Sequence, residues 1–268
     1  MRRIQWLEIH DQPWFPRFLR DPVTDTLEAA LHIGNNYGTI VPRLRRAFAR
    51  AGTTQVVDLC SGGGGPWPRM IRQFTAEPKN SPESDTLADL RVYLTDKFPN
   101  LPALERAQAA SPGHISFSKE PVDATAVPAA LQGFRTLFTS FHHFPPEKAR
   151  SILRNAAENR MGIAVFEVTH RSLKALLIFF FLTPLGFMLV VPLVRPFRWW
   201  PLLWTYLIPV IPLIGWHDAV VSCLRTYTPQ ELRELTDGLG GREYTWETGE
   251  HQGPHSPLPI TYVIGCPL

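Results

Sequence analysis

Between Thr24 and Arg50 the apolar residues fall at helical spacing in two sets, Leu27–Ala30–Leu31 and Ile40–Val41–Leu44–Phe48, with Gly34 and Gly38 between them. That pattern predicts two short helices. Ahead of them, WLEIHDQPWFPRFLR (6–20) mixes aromatic, acidic and basic residues without a period and predicts an irregular, partly helical lead-in. At Gln55 the pattern changes. QVVDLC (55–60) is a short apolar run that ends in SGGGGP (61–66), and WPRMIRQF (67–74) returns to helical spacing. A strand, a glycine turn and a proline at a helix start make up the strand–loop–helix grammar of a nucleotide-binding α/β domain. A polar loop (76–88) precedes a second strand, LRVYLTD (90–96), and ISFSKEPVDA (115–124) holds a third. RTLFTSFHHF (135–144) reads as a fourth strand, PPEKARSILRNAAEN (145–159) as a helix and GIAVFEVTH (162–170) as a fifth strand. A late helix, PQELRELTDGLG (229–240), and two further strands, YTWETGEH (244–251) and ITYVIGC (260–266), complete the pattern. Alternating strands and helices predict a mostly parallel sheet covered on both faces.

Between the fifth strand and the late helix the alternation stops. Residues 175–194 are 20 positions without a charge, and residues 199–216 are 18 more, separated by Arg195–Pro196–Phe197–Arg198. Each run meets the length criterion for a membrane helix. Trp199, Trp200 and Trp216 bracket the second run like interfacial anchors. Pro184, Pro192, Pro201, Pro209 and Pro212 interrupt both runs, which argues against ordinary soluble helices. A full hairpin would carry Arg195 and Arg198 across, opposite Arg171 and Lys174, and two against two decides no orientation. A re-entrant hairpin would let the tip arginines snorkel on the near side. Either form leaves the flanking chain on one side.

Composition adds limits. With 268 residues the chain can bury a substantial core, and 44% hydrophobic residues exclude wholesale disorder. A net charge of +3 is too weak to argue for nucleic acid. Cys60, Cys223 and Cys266 form neither a paired framework nor a CxxC, so no disulfide scaffold or thiolate zinc site is expected. The start, MRRIQWLEIHDQPWFP, has no apolar core of a secretory signal.

VVDLCSGGGGPW (56–67) resembles the first motif of class I S-adenosylmethionine-dependent methyltransferases, an acidic residue followed by three alternating glycines. Asp58 fits the acidic position, Gly62 and Gly64 fit the last two glycines, and Cys60 replaces the first, with Ser61 and Gly63 between them. Further landmarks follow in order. Asp96, with Lys97 after it, looks like the acidic residue that ends the second strand and holds the ribose hydroxyls. Asp123–Ala124 looks like the partner of the adenine amino group, and 138–153 looks like the fourth strand with its helix. The resemblance covers residues 25–170 and 225–268, and the loop before the second strand is longer than usual for the family. It implies a Rossmann-like class I methyltransferase fold, α/β, with a seven-stranded mostly parallel sheet, N-terminal cover helices and the hydrophobic helical insertion. S-adenosyl-L-methionine is the implied cofactor. Carboxylates suit its ribose because charge-assisted bonds to hydroxyls are strong. Asp58 either touches the cofactor or orders the glycine loop. Tyr37, in NNYG, is placed by the resemblance near the methionine end of the cofactor. A dehydrogenase fits less well. Trp67 stands where a dinucleotide loop needs its third glycine, and Tyr93 and Lys97 span a strand end rather than a later helix.

The family fold turns the end of the fourth strand toward the methyl group, which brings in His142 and His143. Successive strand residues alternate faces, so at most one of the two is expected in the pocket, where an imidazole could take a proton from the acceptor. Glu167 and His170 end the fifth strand and either line the acceptor site or are solvated. His217 and Asp218 are expected as interfacial polar anchors. The histidines lack zinc-ligand spacing, so no metal is expected. These readings predict one methyltransferase domain over 1–268 with a membrane-associated insertion over 171–217, its catalytic domain cytoplasmic. They predict a small lipophilic acceptor, with membrane lipid as partner through 175–216. The alternative is a non-catalytic, membrane-anchored scaffold or cofactor-binding protein.

Overall fold

Strand β1, Gln55–Asp58, lies at the middle of a seven-stranded sheet. The computed structural model describes residues 1–76, 89–254 and 256–268; the polar loop expected at 76–88 lies, past Ala76, outside the described residues. The other strands are β2 (Arg91–Leu94), β3 (Ile115–Phe117), β4 (Phe134–Phe138), β5 (Ile163–Glu167), β6 (Tyr244–His251) and β7 (Ile260–Pro267), in the order β3-β2-β1-β4-β5-β7-β6. The sheet is parallel through β5, and β7 runs antiparallel between β5 and β6. The strand order reverses beside β1, so a crevice opens above the carboxyl ends of β1 and β4, where such sheets bind ligands.

The helices are α1 (Arg17–Gly34), α2 (Val41–Ala51), α3 (Trp67–Ala76), α4 (Leu101–Ala110), α5 (Pro146–Glu158), α6 (Leu173–Val190), α7 (Val210–Arg225) and α8 (Pro229–Thr236). Helix α4 was not singled out in the sequence. It is capped by Asn100, whose side chain accepts from the Ala103 N–H. Alternation along the strands splits the core. Val56, Phe134, Phe138 and Phe166 pack with α2 and α3 on one face. Val57, Leu137, Val165 and Val263 pack with α5 and α8 on the other. Phe134 is fully buried and meets Phe48 edge to face at 4.9 Å between ring centroids.

The apolar insertion forms helices that lie against the α/β domain. Phe187 of α6 and Ile211 and Ile214 of α7 share a third cluster with Phe15, Leu19 and Val23 of the N-terminal region. Gly215 lets α7 approach closely, since a Cβ there would stand 2.3 Å from the Phe187 ring. Helix α7 runs without a break past residue 217 to Arg225. Among the described residues, Leu173–Leu193 is the helical stretch that by itself has the length and apolar character to cross a membrane. The segments Trp200–Leu207 and Val210–Arg225 meet at a bend of 72°. At the tip, Arg198 pairs with Asp25 of α1, and Asp25 also accepts from Asn100 (3.0 Å) and Arg106 (3.2 Å). Both ends of α6 are therefore held near the sheet domain.

Replacing Phe134 by alanine removes a buried ring with no room to collapse, and it is expected to cost about 3–5 kcal/mol in urea unfolding. A loss below about 1 kcal/mol would mean that the ring is not a keystone of this face.

Candidate cofactor and acceptor site

The glycine loop after β1 turns sharply because its residues take left-handed backbone conformations: φ is 58° at Cys60, 56° at Gly62, 116° at Gly64 and 57° at Gly65. Cys60 thus carries a side chain where glycine is the natural occupant. At Gly64 a Cβ would also meet Ala107 at 2.8 Å. Beneath the loop, the buried Asp58 carboxylate accepts from the Ser61 hydroxyl (2.7 Å) and the Thr136 hydroxyl (2.5 Å). Its backbone carbonyl accepts from Thr95 N–H (2.9 Å). Burial pushes the Asp58 pKa up to about 6, against the pull of the two hydroxyls. Asp58 holds the loop through the Ser61 hydroxyl and lies beneath the cavity wall.

Above the loop lies a cavity of about 850 Å³. One end holds most of the expected cofactor residues: Cys60, Ser61, Gly62 and Gly63 from the loop, then Asp96, Lys97, Asp123 and Ala124. Gly64 shapes the loop from outside the cavity wall. The Asp96 carboxylate accepts from Gly62 N–H and Phe98 N–H, both at 2.7 Å, and burial raises its pKa. Two of the roughly four lone-pair positions of a carboxylate are thereby used, which leaves acceptors for ligand hydroxyls. At Asp123 burial works upward, but the Thr125 hydroxyl and N–H and the Lys97 ammonium (2.9 Å) outweigh it and hold the pKa at about 2. Tyr37 corrects an expectation. Its ring is buried against Phe138 at 5.0 Å between centroids, its hydroxyl is bonded to Thr139, and it does not line the cavity. An aromatic ring with both its face and its hydroxyl occupied is a core residue, not a cofactor contact.

The other end of the cavity is apolar. Ile178, Phe179, Gly186 and Phe187 of α6 meet Gly215 and Ala219 of α7 there. On α1, the Glu28 carboxylate packs against Gly63, whose added Cβ would stand 2.1 Å from Glu28 Oε2. Burial first, then the neighbouring Asp25 charge, raise the Glu28 pKa to about 8.

His142 and His143 both line the cavity, contrary to the expectation that one would point away. Strand alternation does not apply to them. β4 stops at Phe138, Thr139 turns at φ 45°, and Phe141–His143 form one turn of 3-10 helix with the two rings 4.3 Å apart. His142 is buried, and its Nδ1 lies 2.5 Å from Glu167 Oε2. Glu167 is buried rather than solvated or cavity-lining; its Oε1 accepts from Phe141 N–H (2.7 Å) and Ser140 N–H (3.1 Å). His170 pairs with Glu250 at 3.1 Å, outside the cavity. Asp218 is no membrane anchor. It is buried and accepts from Ile9 N–H (2.8 Å) and His10 N–H (3.0 Å), pinning the N-terminal strap.

That strap supplies the residues that the sequence reading missed. Glu8, with no exposed surface, lies 2.8 Å from His143 Nδ1 and 3.3 Å from Arg225 Nη1, and Asp11 also contacts His143. Burial lowers the His143 imidazole, but Asp11 and Glu8 outweigh it and raise the pKa well above its usual value. Burial likewise opposes ionised Glu8, yet His143 and His142 hold its pKa at about 2. The acidic and basic residues of LEIHDQ were the only sequence signal, and they carried no period.

No protein-family model and no curated protein matches the chain. Solved structures do. The plantazolicin methyltransferase BpumL in complex with SAH is 10% identical at a TM-score of 0.56, covering 97% of this chain and 95% of that one. NcsB1, an O-methyltransferase from neocarzinostatin biosynthesis bound to S-adenosylmethionine and 2-hydroxy-5-methyl naphthoic acid, is 16% identical at 0.50 and covers 92% of this chain. A Nostoc punctiforme protein assigned to the O-methyltransferases is 13% identical at 0.50 and covers 98%. The chain spans 59% of the length of NcsB1 and 64% of the length of the Nostoc protein. The fold is thus the Rossmann-like class I methyltransferase fold.

Glu28 gives a test by pH. Its folded pKa of about 8 lies above the usual 4.5, so its protonated form contributes stability that is complete below pH 4.5 and lost as pH rises to about 8. Glu28→Gln is expected to remove that slope and to unfold at higher urea than the parent chain at pH 8.5, with little difference at pH 5. Equal slopes for the two proteins would show that Glu28 ionises normally.

Proposed function

We propose that the chain is an S-adenosylmethionine-dependent methyltransferase that acts on a small lipophilic acceptor at a membrane surface, with its catalytic domain in the cytoplasm. One observation carries the reading: a single cavity joins the glycine loop, Asp96 and Asp123 at one end to the apolar walls of α6 and α7 at the other. In this reading the loop faces the methionine part of the cofactor, Asp96 accepts from the ribose hydroxyls, and Asp123–Ala124 meets the adenine amino group. The acceptor's reacting atom attacks the sulfonium methyl in line. The S–CH3 bond breaks with its electron pair passing to sulfur, which leaves S-adenosylhomocysteine, and any proton on the acceptor atom is released. Holding the two reactants in one enclosed space supplies much of the rate. His142 and His143 line the same cavity, and in this reading they act on the acceptor.

The surface of α6 supports the membrane half of the reading. Leu173, Leu177, Phe181, Leu185 and Leu189 recur every fourth residue and are all exposed, forming one apolar stripe. Exposed Trp199, Leu203 and Leu207 add to the apolar surface. A stripe of this kind suits burial among lipid chains. The Arg198–Asp25 pair favours an insertion that lies on the membrane over one that spans it, because a spanning hairpin would carry its tip away from α1.

Two experiments test these halves separately. Calorimetric titration of the detergent-solubilised chain with S-adenosylhomocysteine is expected to give micromolar binding, weakened at least tenfold by Asp96→Ala. A folded protein that does not bind would leave a membrane-attached scaffold as the reading. In vesicle flotation, the full chain is expected to rise with the lipid, and the combined Phe181→Asp, Leu185→Asp, Leu189→Asp variant to stay at the bottom while still binding S-adenosylhomocysteine. Failure of the unaltered chain to float would end the membrane reading and leave the cofactor result intact.

A further inference from the structure

Three buried atoms converge where the N-terminal strap crosses the cavity wall, Glu8 Oε2, His142 Nε2 and His143 Nδ1, and beyond the ion pairs within this cluster and with Asp11 they meet no hydrogen-bond partner. They belong to a group whose ligand atoms all lie within 4.8 Å of one another. The surroundings explain why these three are left over. Glu8 Oε1 is taken, accepting from the Ser222 hydroxyl at 3.1 Å with Arg225 Nη1 at 3.3 Å, so Oε2 is the free oxygen. His142 Nδ1 faces Glu167 Oε2 at 2.5 Å. Glu167 already accepts two backbone N–H groups and can only accept, so Nδ1 carries a hydrogen and Nε2 is the atom turned to Glu8, 3.6 Å from its Oε1. His143 Nδ1 points at Glu8 Oε2 from 2.8 Å. Two imidazole nitrogens and a carboxylate gathered in one buried place form a donor set for a metal ion, which would replace the proton that His143 otherwise shares with Glu8 and Asp11.

We propose that Glu8, His142 and His143 bind one divalent transition-metal ion. Two imidazoles and carboxylate oxygens suit zinc and its first-row neighbours rather than magnesium or calcium. The Glu167–His142 contact is the carboxylate–histidine–metal relay that orients an imidazole ligand and fixes its tautomer. Glu8 comes from the strap and the histidines from the end of β4, so the ion would tie the strap to the sheet. Since both histidines line the cavity, an open position on the ion would face the acceptor. Within the methyl-transfer reading, the ion would polarise an acceptor hydroxyl there. The binding site itself does not depend on that reading.

The test uses the full chain without cofactor. After dialysis against micromolar zinc chloride and then metal-free buffer, elemental analysis is expected to find about one zinc per chain. Cobalt substitution is expected to give visible absorption bands of nitrogen and oxygen coordination. Glu8→Gln should lower zinc affinity at least tenfold, and Glu167→Gln by about 10–100-fold, with circular dichroism showing both variants folded. No zinc and no cobalt spectrum in the unaltered chain would overturn the proposal and mean that protons alone occupy the cluster. Equal zinc binding by Glu8→Gln would overturn it as well, because the ion would then sit elsewhere. Binding of S-adenosylhomocysteine to chelator-treated protein separates the two readings: if it persists while zinc binding fails, the metal site falls and the methyltransferase stands.

Discussion

A carboxylate buried at the carboxyl end of β1 sets the geometry of everything above the sheet. Asp58 takes the hydroxyls of Ser61 and Thr136 on its two oxygens, while its backbone carbonyl receives Thr95. One residue thereby joins the glycine loop, β4 and β2, the segments that reach the cofactor end of the cavity. A buried carboxylate without such donors would be costly, so these groups must stay in place together. The loop inherits its shape from that arrangement, and Gly62 then offers its N–H to Asp96. Order at the ligand end of the sheet is thus built from a group that never meets the ligand cavity.

The insertion has two faces with different roles. Its inner face, through Phe187, Ile211 and Ile214, completes a small core with the N-terminal region and closes the cavity. Its outer face presents an apolar stripe to the surroundings. That division accounts for the absence of amphipathic periodicity in 175–194: both sides of the helix are apolar, one against protein and one outward. Charge appears where the polypeptide returns to the domain, at Arg198.

Most of the sheet was legible because each strand is a short apolar run bounded by turn residues, and because the acidic landmarks close β1 and β2 in order. Their position at strand ends and turns likewise brings Asp96 and Asp123 to the cavity wall beside the glycine loop. Local pattern could not show where the chain leaves the sheet. The positive φ at Thr139 ends β4 early and puts His142 and His143 in one helical turn, so a rule about strand faces misplaced one of them. Tyr37 was misjudged because position before β1 says nothing of the Thr139 hydroxyl that engages it. Glu8, His10 and Asp11 were illegible for a stronger reason. Their partners lie far along the chain, Asp218 and Arg225 more than two hundred positions away, and no periodicity encodes contacts of that range.

Helix α1 holds Asp25 and Glu28 about one turn apart. The first grips the tip of the insertion through Arg198, and the second rests on Gly63 of the glycine loop. The apolar insertion and the glycine loop are therefore mounted on the same short shaft. A small roll of α1 about its axis would shift both in one movement, much as a cam drives two followers. The apolar and polar ends of the cavity therefore take their spacing from one helix.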